Sequence, residues 1–235
     1  LYSRRKADRI EMMARNWTAL PAAPFVQYKG NNMIAYTIHG MHIQDKGAAG
    51  MDKLAQTLRD SNIFTRVIEL DYPWFGLVRA KLCNPTAAHM IGHLAQPRSA
   101  VFCHSNGAAI LYRAAKLAWK QFDYVCLVNP ALRSDLTIPH ARHVDTWFAP
   151  DDFPTLLAKW SRGVLPSVWG AQGRTGYTGQ AHHHHNIQLP TGSGHCGVFK
   201  STLAMRRIAE RAAVVCNTKR LGPKPEEWDL ASIPW

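Results

Sequence analysis

Short apolar stretches recur along the chain, and segments in which apolar residues have helical spacing lie between several of them. The apolar stretches predict buried strands at residues 33–38, 64–70, 100–103, 124–128 and 143–149. The segments with one apolar helical face predict helices at residues 10–20, 50–59, 86–94, 108–119 and 202–215. Because strands alternate with helices, the pattern predicts an α/β fold with a mostly parallel central sheet and helices on both faces.

Residues 165–194 form the least regular segment, which is rich in glycine, histidine and aromatic residues. We predict a long functional loop there, because long irregular segments within a compact domain usually carry function. In open parallel sheets the chemistry lies at the carboxyl ends of the strands. The residues that follow each predicted strand are therefore the first candidates for a site.

The length of 235 residues suits one domain with short terminal arms. We predict a basic N-terminal arm and lead-in at residues 1–32, the α/β domain at 33–215 and a C-terminal tail at 216–235. Hydrophobic residues make up 46% of the chain and charged residues 19%, which is typical of a protein with a sizeable core. No apolar run approaches the roughly 18 residues that cross a bilayer, so we expect no membrane span.

The cysteines and the N-terminal residues bear on the compartment. Residues 1–9 are basic and polar without an apolar centre, so we expect no secretory signal. The five cysteines are odd in number and lack paired spacing, and Cys103 and Cys126 lie within apolar stretches as small core residues. These features favour the cytoplasm or another reducing compartment.

The formal net charge is +12, from 28 Lys and Arg against 16 Asp and Glu. Such a charge attracts acidic substrates, nucleic acid or anionic surfaces. The basic residues are dispersed, however, and the sequence has neither an RNA-recognition signature nor zinc-finger spacing, so nucleic-acid binding is disfavoured. We expect a small-molecule or acyl substrate, anionic ones included, and the sequence leaves the oligomeric state open.

Ser105 lies where the predicted strand at 100–103 runs into the start of a helix. Small residues, Cys103 and Gly107, stand two positions before it and two positions after it. A nucleophile elbow needs this pattern, because its turn is strained and the neighbouring backbones are crowded. The usual motif has glycine at the first of these positions, so Cys103 is a departure from it.

Motifs at other strand ends, taken together with this one, resemble the α/β-hydrolase superfamily over about residues 33–203. A His-Gly-Met sequence at 39–41 closes an early strand, two aspartates at 151–152 follow a later one, and a glycine-flanked histidine lies at position 195. The resemblance implies a small serine hydrolase without a cap domain, because the stretch between residues 130 and 150 is too short to contain one.

The resemblance also implies a role for each of these side chains. Ser105 would be the nucleophile, His195 the general base and Asp152 the acid that orients the imidazole, with Asp151 as the alternative acid. These residues occur in the chain order of the family. The imidazole must be neutral to take a proton, so activity is expected to fall below about pH 6 to 7.

By the same resemblance, the backbone N–H groups of Met41 and Asn106 would form an oxyanion hole. The alternative is that the sequence at 39–41 forms only a tight turn. Further candidate substrate-binding residues flank the motifs or lie in the glycine-rich stretch at 169–177, which alternatively packs its aromatic residues on the domain. They are His39, Gly40, His104, Trp169, Arg174 and Tyr177.

The run of four histidines at residues 182–185 invites a metal-site interpretation. Adjacent side chains point in different directions, however, and no nearby carboxylate or cysteine completes a site. We therefore predict neither a metal nor a cofactor.

The favoured function is hydrolysis of a carboxylic ester, or of a related thioester or amide, through an acyl-enzyme. The alternative is a catalytically silent hydrolase-like module that serves as a basic binding or structural component of a larger assembly. The charge of +12 and the departure at Cys103 favour this alternative, whereas the complete set of nucleophile, base and acid favours the enzyme. The natural substrate is left open, because fold-level resemblance does not define it.

Overall fold

Six parallel strands form one sheet in the computed structural model, which describes residues 31–41, 50–72, 80–160 and 167–218. For residues 31–32, 80–83, 158–160 and 218 it describes the backbone only. The strands are β1 (Asn31–Ile38), β2 (Phe64–Glu69), β3 (Ala100–His104), β4 (Tyr124–Val128), β5 (Val144–Phe148) and β6 (His184–Gln188). Their order across the sheet is β2-β1-β3-β4-β5-β6, and every pair of neighbours is parallel.

Helices connect most of these strands, as the alternating pattern predicts. They are α1 (Met51–Asp60), α2 (Ala80–Leu94), α3 (Asn106–Ala118), α4 (Phe153–Trp160), α5 (Gln172–Thr175) and α6 (Thr202–Thr218). A 3₁₀ turn (Gly197–Lys200) precedes α6. The prediction of an α/β fold with a parallel sheet is confirmed.

The core lies on both faces of the sheet. Side chains alternate between the faces along a strand, and β3 is buried throughout. Cys103 packs in the cluster that includes Ile91 of α2 and residues of α3. Phe102 packs in the opposite cluster, which includes Leu54 of α1 and Ile208 of α6. Burial on both sides explains why β3 and β4 are continuous apolar runs in the sequence.

The register of the strands gathers their carboxyl ends at one edge of the sheet. Ile38 of β1 pairs with Cys103 of β3, and His104 of β3 pairs with Val128 of β4. Val128 in turn pairs with Trp147 of β5. The residues that follow these strands are therefore neighbours in space, although they are far apart in the sequence.

The prediction of a long irregular loop at residues 165–194 is wrong in part. Within it, Gln172–Thr175 form α5 and His184–Gln188 form the edge strand β6. The strand has little apolar pattern, because only His184 and Ile187 are buried and its other residues face solvent. An edge strand of this kind is held mainly by backbone pairing with β5, which hydropathy does not reveal.

Other boundaries differ less. Helix α2 begins at Ala80 rather than at residue 86, and it continues through Pro85. The predicted helix at 10–20 and most of the predicted terminal arms lie outside the described residues. Among the helices that the structure describes, none has both the length and the apolar character needed to span a bilayer.

Candidate active site

Ser105 occupies a strained backbone position between the end of β3 and the start of α3. Its φ is 51° and its ψ is −121°, a combination that residues other than glycine rarely adopt. Its N–H donates to the backbone oxygen of Val128 at 3.2 Å. Its own backbone oxygen accepts the N–H groups of Ala108 at 3.2 Å and Ala131 at 3.0 Å. Hydrogen bonds on both sides of the residue thus hold the predicted sharp turn.

Two glycines allow the backbone to crowd around this turn. A Cβ at Gly107 would lie 2.7 Å from the backbone oxygens of both Ile38 and His39. A Cβ at Gly40 would lie 2.9 Å from the Cβ of Ser105. Both separations are too short for van der Waals contact, so a side chain at either position would displace its neighbours. The segment after β1 therefore lies directly against the serine.

His195 lies between Ser105 and Asp152. Its Nε2 is 2.9 Å from Oγ of Ser105, and its Nδ1 is 2.9 and 3.0 Å from the two carboxylate oxygens of Asp152. In the neutral imidazole, a proton on Nδ1 donates to the carboxylate and leaves Nε2 as an acceptor for the serine hydroxyl. The structure thus brings the three predicted side chains together from the ends of β3, β5 and β6.

Asp152 is fully buried and is surrounded by donors. Burial raises its pKa, but the hydrogen bond and charge of His195 act in the opposite direction. The N–H of Thr155 at 3.1 Å and the side-chain amide of Asn129 at 3.0 Å also lower it. The net pKa of Asp152 lies below its ordinary value, so the carboxylate is charged at neutral pH.

Asp151, the alternative acid, faces the backbone of the histidine loop instead of the imidazole. Its Oδ2 accepts the N–H of Gly192 at 2.9 Å and the N–H of Gly194 at 3.1 Å. The two consecutive aspartates therefore contact different parts of the loop that carries His195. This separation of roles is not visible in the sequence, because both residues follow the same strand.

His104 is a fully buried neutral histidine next to the serine. Burial, together with the charge of His195, lowers the pKa of His104 to about 3. Its Nε2 lies 3.1 Å from the backbone oxygen of His195, so the Nε2–H donates to that oxygen. The two rings are 4.8 Å apart, and Phe199 packs edge-on against His104. The sequence analysis predicts that His104 helps to shape the site. In the structure, its side chain contacts the loop that carries His195.

The two segments predicted to supply oxyanion donors are fixed by buried polar contacts. Asn106 is the first residue of α3, where backbone N–H groups have no partner within the helix. Its side-chain oxygen accepts hydrogen bonds from Asn84 at 2.8 Å and from Trp169 at 2.9 Å. Tyr72 donates its hydroxyl to the backbone oxygen of His39 at 3.0 Å and stacks on the ring of that histidine.

The remaining predicted substrate contacts have the following environments. Trp169 is 2% exposed and packs in the core beside the elbow. Tyr177 stacks on His184 of β6, with ring centroids 3.9 Å apart. Arg174 is partly buried in α5, and Met41 packs partly buried against the core. Substrate binding by Trp169, Tyr177 and Arg174 stays a prediction, and so does the role of Met41 as an oxyanion donor.

The histidines of the run at 182–185 contact different neighbours. His184 lies 2.7 Å from the hydroxyl of Thr146 and 2.8 Å from that of Thr137, and burial lowers its pKa to about 3. His185 instead stacks on His143, with ring centroids 4.5 Å apart. In the part of the chain that the structure describes, no group of three or more His, Cys, Asp or Glu is arranged to hold a metal.

The sequence analysis did not identify a buried ionic cluster around Asp145 of β5. Oδ2 of Asp145 accepts hydrogen bonds from Arg211 and from the hydroxyl of Tyr124, both at 3.0 Å. Its Oδ1 lies 2.8 Å from Nε2 of His143. The sequence does contain a signal for this cluster, which is an aspartate in the middle of an apolar strand. A fully buried carboxylate requires hydrogen-bonding or charged partners.

Four of the cysteines, Cys103, Cys126, Cys196 and Cys216, are free thiols. Cys103 and Cys126 are fully buried in the sheet, as predicted, and burial raises the pKa of both thiols. Cys103 therefore fills, as a small core side chain, the position that is glycine in the usual elbow motif. Cys196 is exposed beside His195.

Solved structures of other proteins are similar to this chain. The α/β hydrolase domain-containing protein 10 from mouse aligns with a TM-score of 0.53 and 11% identity, over 83% of this chain and 93% of that chain. A predicted CIB-like hydrolase from Thermoplasma acidophilum aligns with a TM-score of 0.48 and 14% identity, over 80% of this chain and 87% of that chain. A pyrethroid hydrolase from Sphingobium faniae aligns with a TM-score of 0.47 and 13% identity, over 83% and 100% of the two chains.

Comparison of the sequence with protein-family models gives no match, and comparison with curated proteins gives none either. The likeness is therefore one of three-dimensional structure. The six-stranded parallel sheet and its similarity to the mouse structure show that this chain has the α/β-hydrolase fold.

Proposed function

We propose that this protein is a serine hydrolase that cleaves a carboxylic ester, or a related thioester or amide, through an acyl-enzyme on Ser105. The observation that carries the proposal is the continuous hydrogen-bonded series from Oγ of Ser105 through His195 to Asp152. A serine hydroxyl is a weak nucleophile by itself, and it becomes reactive when an adjacent base takes its proton. The position of Ser105 on a strained turn at the start of a helix also supports this role.

The proposed reaction begins when Oγ of Ser105 attacks the substrate carbonyl and Nε2 of His195 takes the hydroxyl proton. The buried carboxylate of Asp152 stabilises the imidazolium through its contact with Nδ1. His195 then donates the proton to the leaving group, and the acyl group stays on Ser105. In the second half, the same imidazole activates a water molecule, which hydrolyses the acyl-enzyme.

The backbone N–H groups of Met41 and Asn106 are the proposed oxyanion donors. The close approach of Gly40 to Ser105 supports this assignment, because it brings the segment after β1 to the serine. The N-terminus of α3 adds a positive end of the helix dipole on the same side. Each preorganised donor contributes about 3 kcal/mol to stabilisation of the transition state.

The substrate is proposed to be a small molecule or acyl compound, and the charge of +12 supports a preference for anionic ones. Matched p-nitrophenyl esters with a neutral or a carboxylate-bearing acyl chain test this at low and high salt. A preference for the anionic ester that weakens with salt is expected, because salt screens exposed charges. Equal kcat/KM for both esters at low salt would contradict the preference.

Activity-based labelling tests the hydrolase proposal. A fluorophosphonate probe is expected to label the wild type, and the protein is expected to hydrolyse p-nitrophenyl acetate at neutral pH. Ser105→Ala is expected to lose both, whereas Ser134→Ala, whose hydroxyl contacts Thr175, serves as the matched control. Labelling that survives Ser105→Ala would contradict the assignment of the nucleophile. A wild type with neither labelling nor turnover would instead favour the silent binding module.

A further inference from the structure

The loop that carries His195 contains two glycines with left-handed backbone. Gly192 has a φ of 99° and Gly194 a φ of 55°. A Cβ at either position would meet nothing within 4 Å, so the backbone conformation and not the available space favours glycine there. A glycine-rich segment has many accessible conformations, and contacts to its backbone must restrict them if the imidazole is to have one position.

Asp151 supplies such contacts from the end of β5. Its Oδ2 accepts the N–H of Gly192 at 2.9 Å and the N–H of Gly194 at 3.1 Å. Converging backbone N–H groups of this kind form a small anion-binding concavity, and one carboxylate oxygen occupies it here. The contact therefore restricts the loop one and three residues before His195.

We propose that Asp151 is a positioning residue of the hydrolytic site, an inference that rests on the proposed function. Its carboxylate fixes the backbone of the loop, so that the imidazole of His195 lies between Ser105 and Asp152. The adjacent aspartates then have complementary roles: Asp152 orients the imidazole, and Asp151 orients the loop that carries it. Because Asp151 and Asp152 lie in the same backbone turn, a shift of that turn moves both carboxylates together.

The expected effect is on the rate and not on substrate binding. His195 must be within hydrogen-bond reach of the serine hydroxyl to take its proton, and a misplacement of 1 Å costs about 100-fold in rate. The substrate-binding surface is formed by other segments in the proposal. Loss of Asp151 should therefore lower kcat and leave KM nearly unchanged.

The test compares three variants of the protein with the wild type. Asp151→Ala removes the acceptor, and Asp151→Asn keeps a side-chain oxygen that can accept the same N–H groups. Asp60→Ala is the matched control, because Asp60 is an exposed carboxylate at the end of α1 whose Oδ1 accepts a hydrogen bond from the side-chain amide of Gln56. Fluorophosphonate titration counts the active sites, and kcat and KM for p-nitrophenyl acetate are expressed per titrated site. Amide hydrogen exchange of residues 189–196 reports the order of the loop.

Asp151→Ala is expected to lower kcat about 10- to 100-fold per titrated site and to raise hydrogen exchange in the loop. Asp151→Asn should recover most of the rate, and Asp60→Ala should match the wild type. A wild-type kcat and exchange pattern in Asp151→Ala would overturn the inference, and so would an Asp151→Asn variant as slow as Asp151→Ala. A wild type without labelling or turnover would overturn the proposed function itself, which is a different result from a failure confined to the Asp151 variants.

Discussion

The side-chain nitrogen of Asn129 lies 3.0 Å from Oδ2 of Asp152, and it also lies 3.3 Å from the backbone oxygen of Gly194. Asn129 directly follows β4, and its φ of 43° is in the left-handed region, which asparagine adopts more readily than most residues. One amide group thus links the end of β4 to the acid after β5 and to the histidine loop. Burial raises the pKa of Asp152, whereas the hydrogen bond from Asn129 lowers it. His195 lowers this pKa by more than Asn129 does.

Asn129→Gly is therefore expected to lower both activity and stability. The change keeps the left-handed backbone accessible but leaves the buried carboxylate of Asp152 without one donor, and a hydrogen bond to a charged group contributes about 1.5–3 kcal/mol. The midpoint of thermal unfolding should fall, and kcat should fall about tenfold as the support of His195 loosens. Asn62→Gly is the control, because Asn62 has a φ of 53° at an exposed position after α1. Equal kcat in both variants would contradict the prediction.

His104 is expected to support the loop of His195 without taking part in proton transfer. His104→Leu removes the donor to the backbone oxygen of His195, so kcat should fall about tenfold or more with little change in KM. His104→Gln keeps an N–H donor on a side chain of similar reach and should recover part of the rate. Circular dichroism and thermal unfolding check that both variants are folded.

The pH dependence separates this role from a catalytic one. Because burial and the charge of His195 lower the pKa of His104 to about 3, His104 is neutral throughout pH 5 to 9. The pH–rate profile of His104→Gln should therefore keep the shape of the wild-type profile at a lower amplitude. A profile that loses its acid limb in this variant would show that His104 itself takes part in proton transfer.

The sequence predicts the parts of the site that depend on local pattern. The continuous apolar runs of β3 and β4 mark buried strands, and the small residues around Ser105 mark a crowded turn. The separate motifs could be combined because parallel strands end at the same edge of a sheet. The distance between His195 and Ser105 depends on the register of β6, and that strand has no hydrophobic pattern of its own.

The supporting residues could not be assigned from the sequence for a related reason. Asp151 and Asp152 are adjacent, and their division of roles depends on the direction of each side chain at one turn. Asn129 appears in the sequence only as the end of a strand, and its partners come from segments far along the chain. Contacts of this kind are set by tertiary packing, which overrides local propensity.

Gly107→Ala is expected to destabilise the protein because of contacts with backbone atoms. The added Cβ would lie 2.7 Å from the backbone oxygens of Ile38 and His39, and these belong to β1 and the segment after it. Overpacking of this kind costs about 1–3 kcal/mol, and each kcal/mol lowers the unfolding midpoint by about 2–4 °C for a domain of this size.

Gly92→Ala provides the matched control for Gly107→Ala. A Cβ at Gly92, inside α2, would lie 3.4 Å from the Cβ of Ala118, which is close to ordinary contact. Alanine is favoured over glycine in a helix interior by roughly 0.5–1 kcal/mol, so the control should be neutral or stabilising. If differential scanning calorimetry gave both variants the wild-type midpoint, the crowding at Gly107 would have no effect on the free energy of unfolding, and the prediction would be wrong.

Arg211→Met is expected to destabilise the protein without a direct effect on the proposed chemistry. Arg211 donates to the fully buried carboxylate of Asp145, and its removal leaves that charge without its guanidinium partner. Breaking a buried pair from one side costs about 3–5 kcal/mol. Chemical denaturation should show this loss, while kcat per titrated active site stays near the wild-type value. A variant as stable as the wild type would contradict the prediction.

Asp145 is also expected to make stability depend on pH in the acid range. Burial raises its pKa, but the hydrogen bonds and charges of His143 and Arg211 outweigh this effect and hold the pKa below its ordinary value. The unfolded chain therefore takes up the proton at a higher pH than the folded protein, with an unfolded pKa of about 3.9. The stabilisation is fully present well above that value and is lost as the pH falls through the folded pKa.

Asp145→Asn removes this contribution, so its unfolding midpoint should lie below that of the wild type at pH 7. The gap between the two proteins should narrow as the pH is lowered to about 3.5, because the wild type then loses the stabilisation that the variant lacks. Asp152 contributes an acid-dependent loss in the same direction, but it is present in both proteins and cancels in the difference. Asp60→Asn, at an exposed carboxylate, should match the wild type at both pH values. A gap that widens in acid would mean that the pKa of Asp145 is raised in the folded protein, and that burial outweighs its partners.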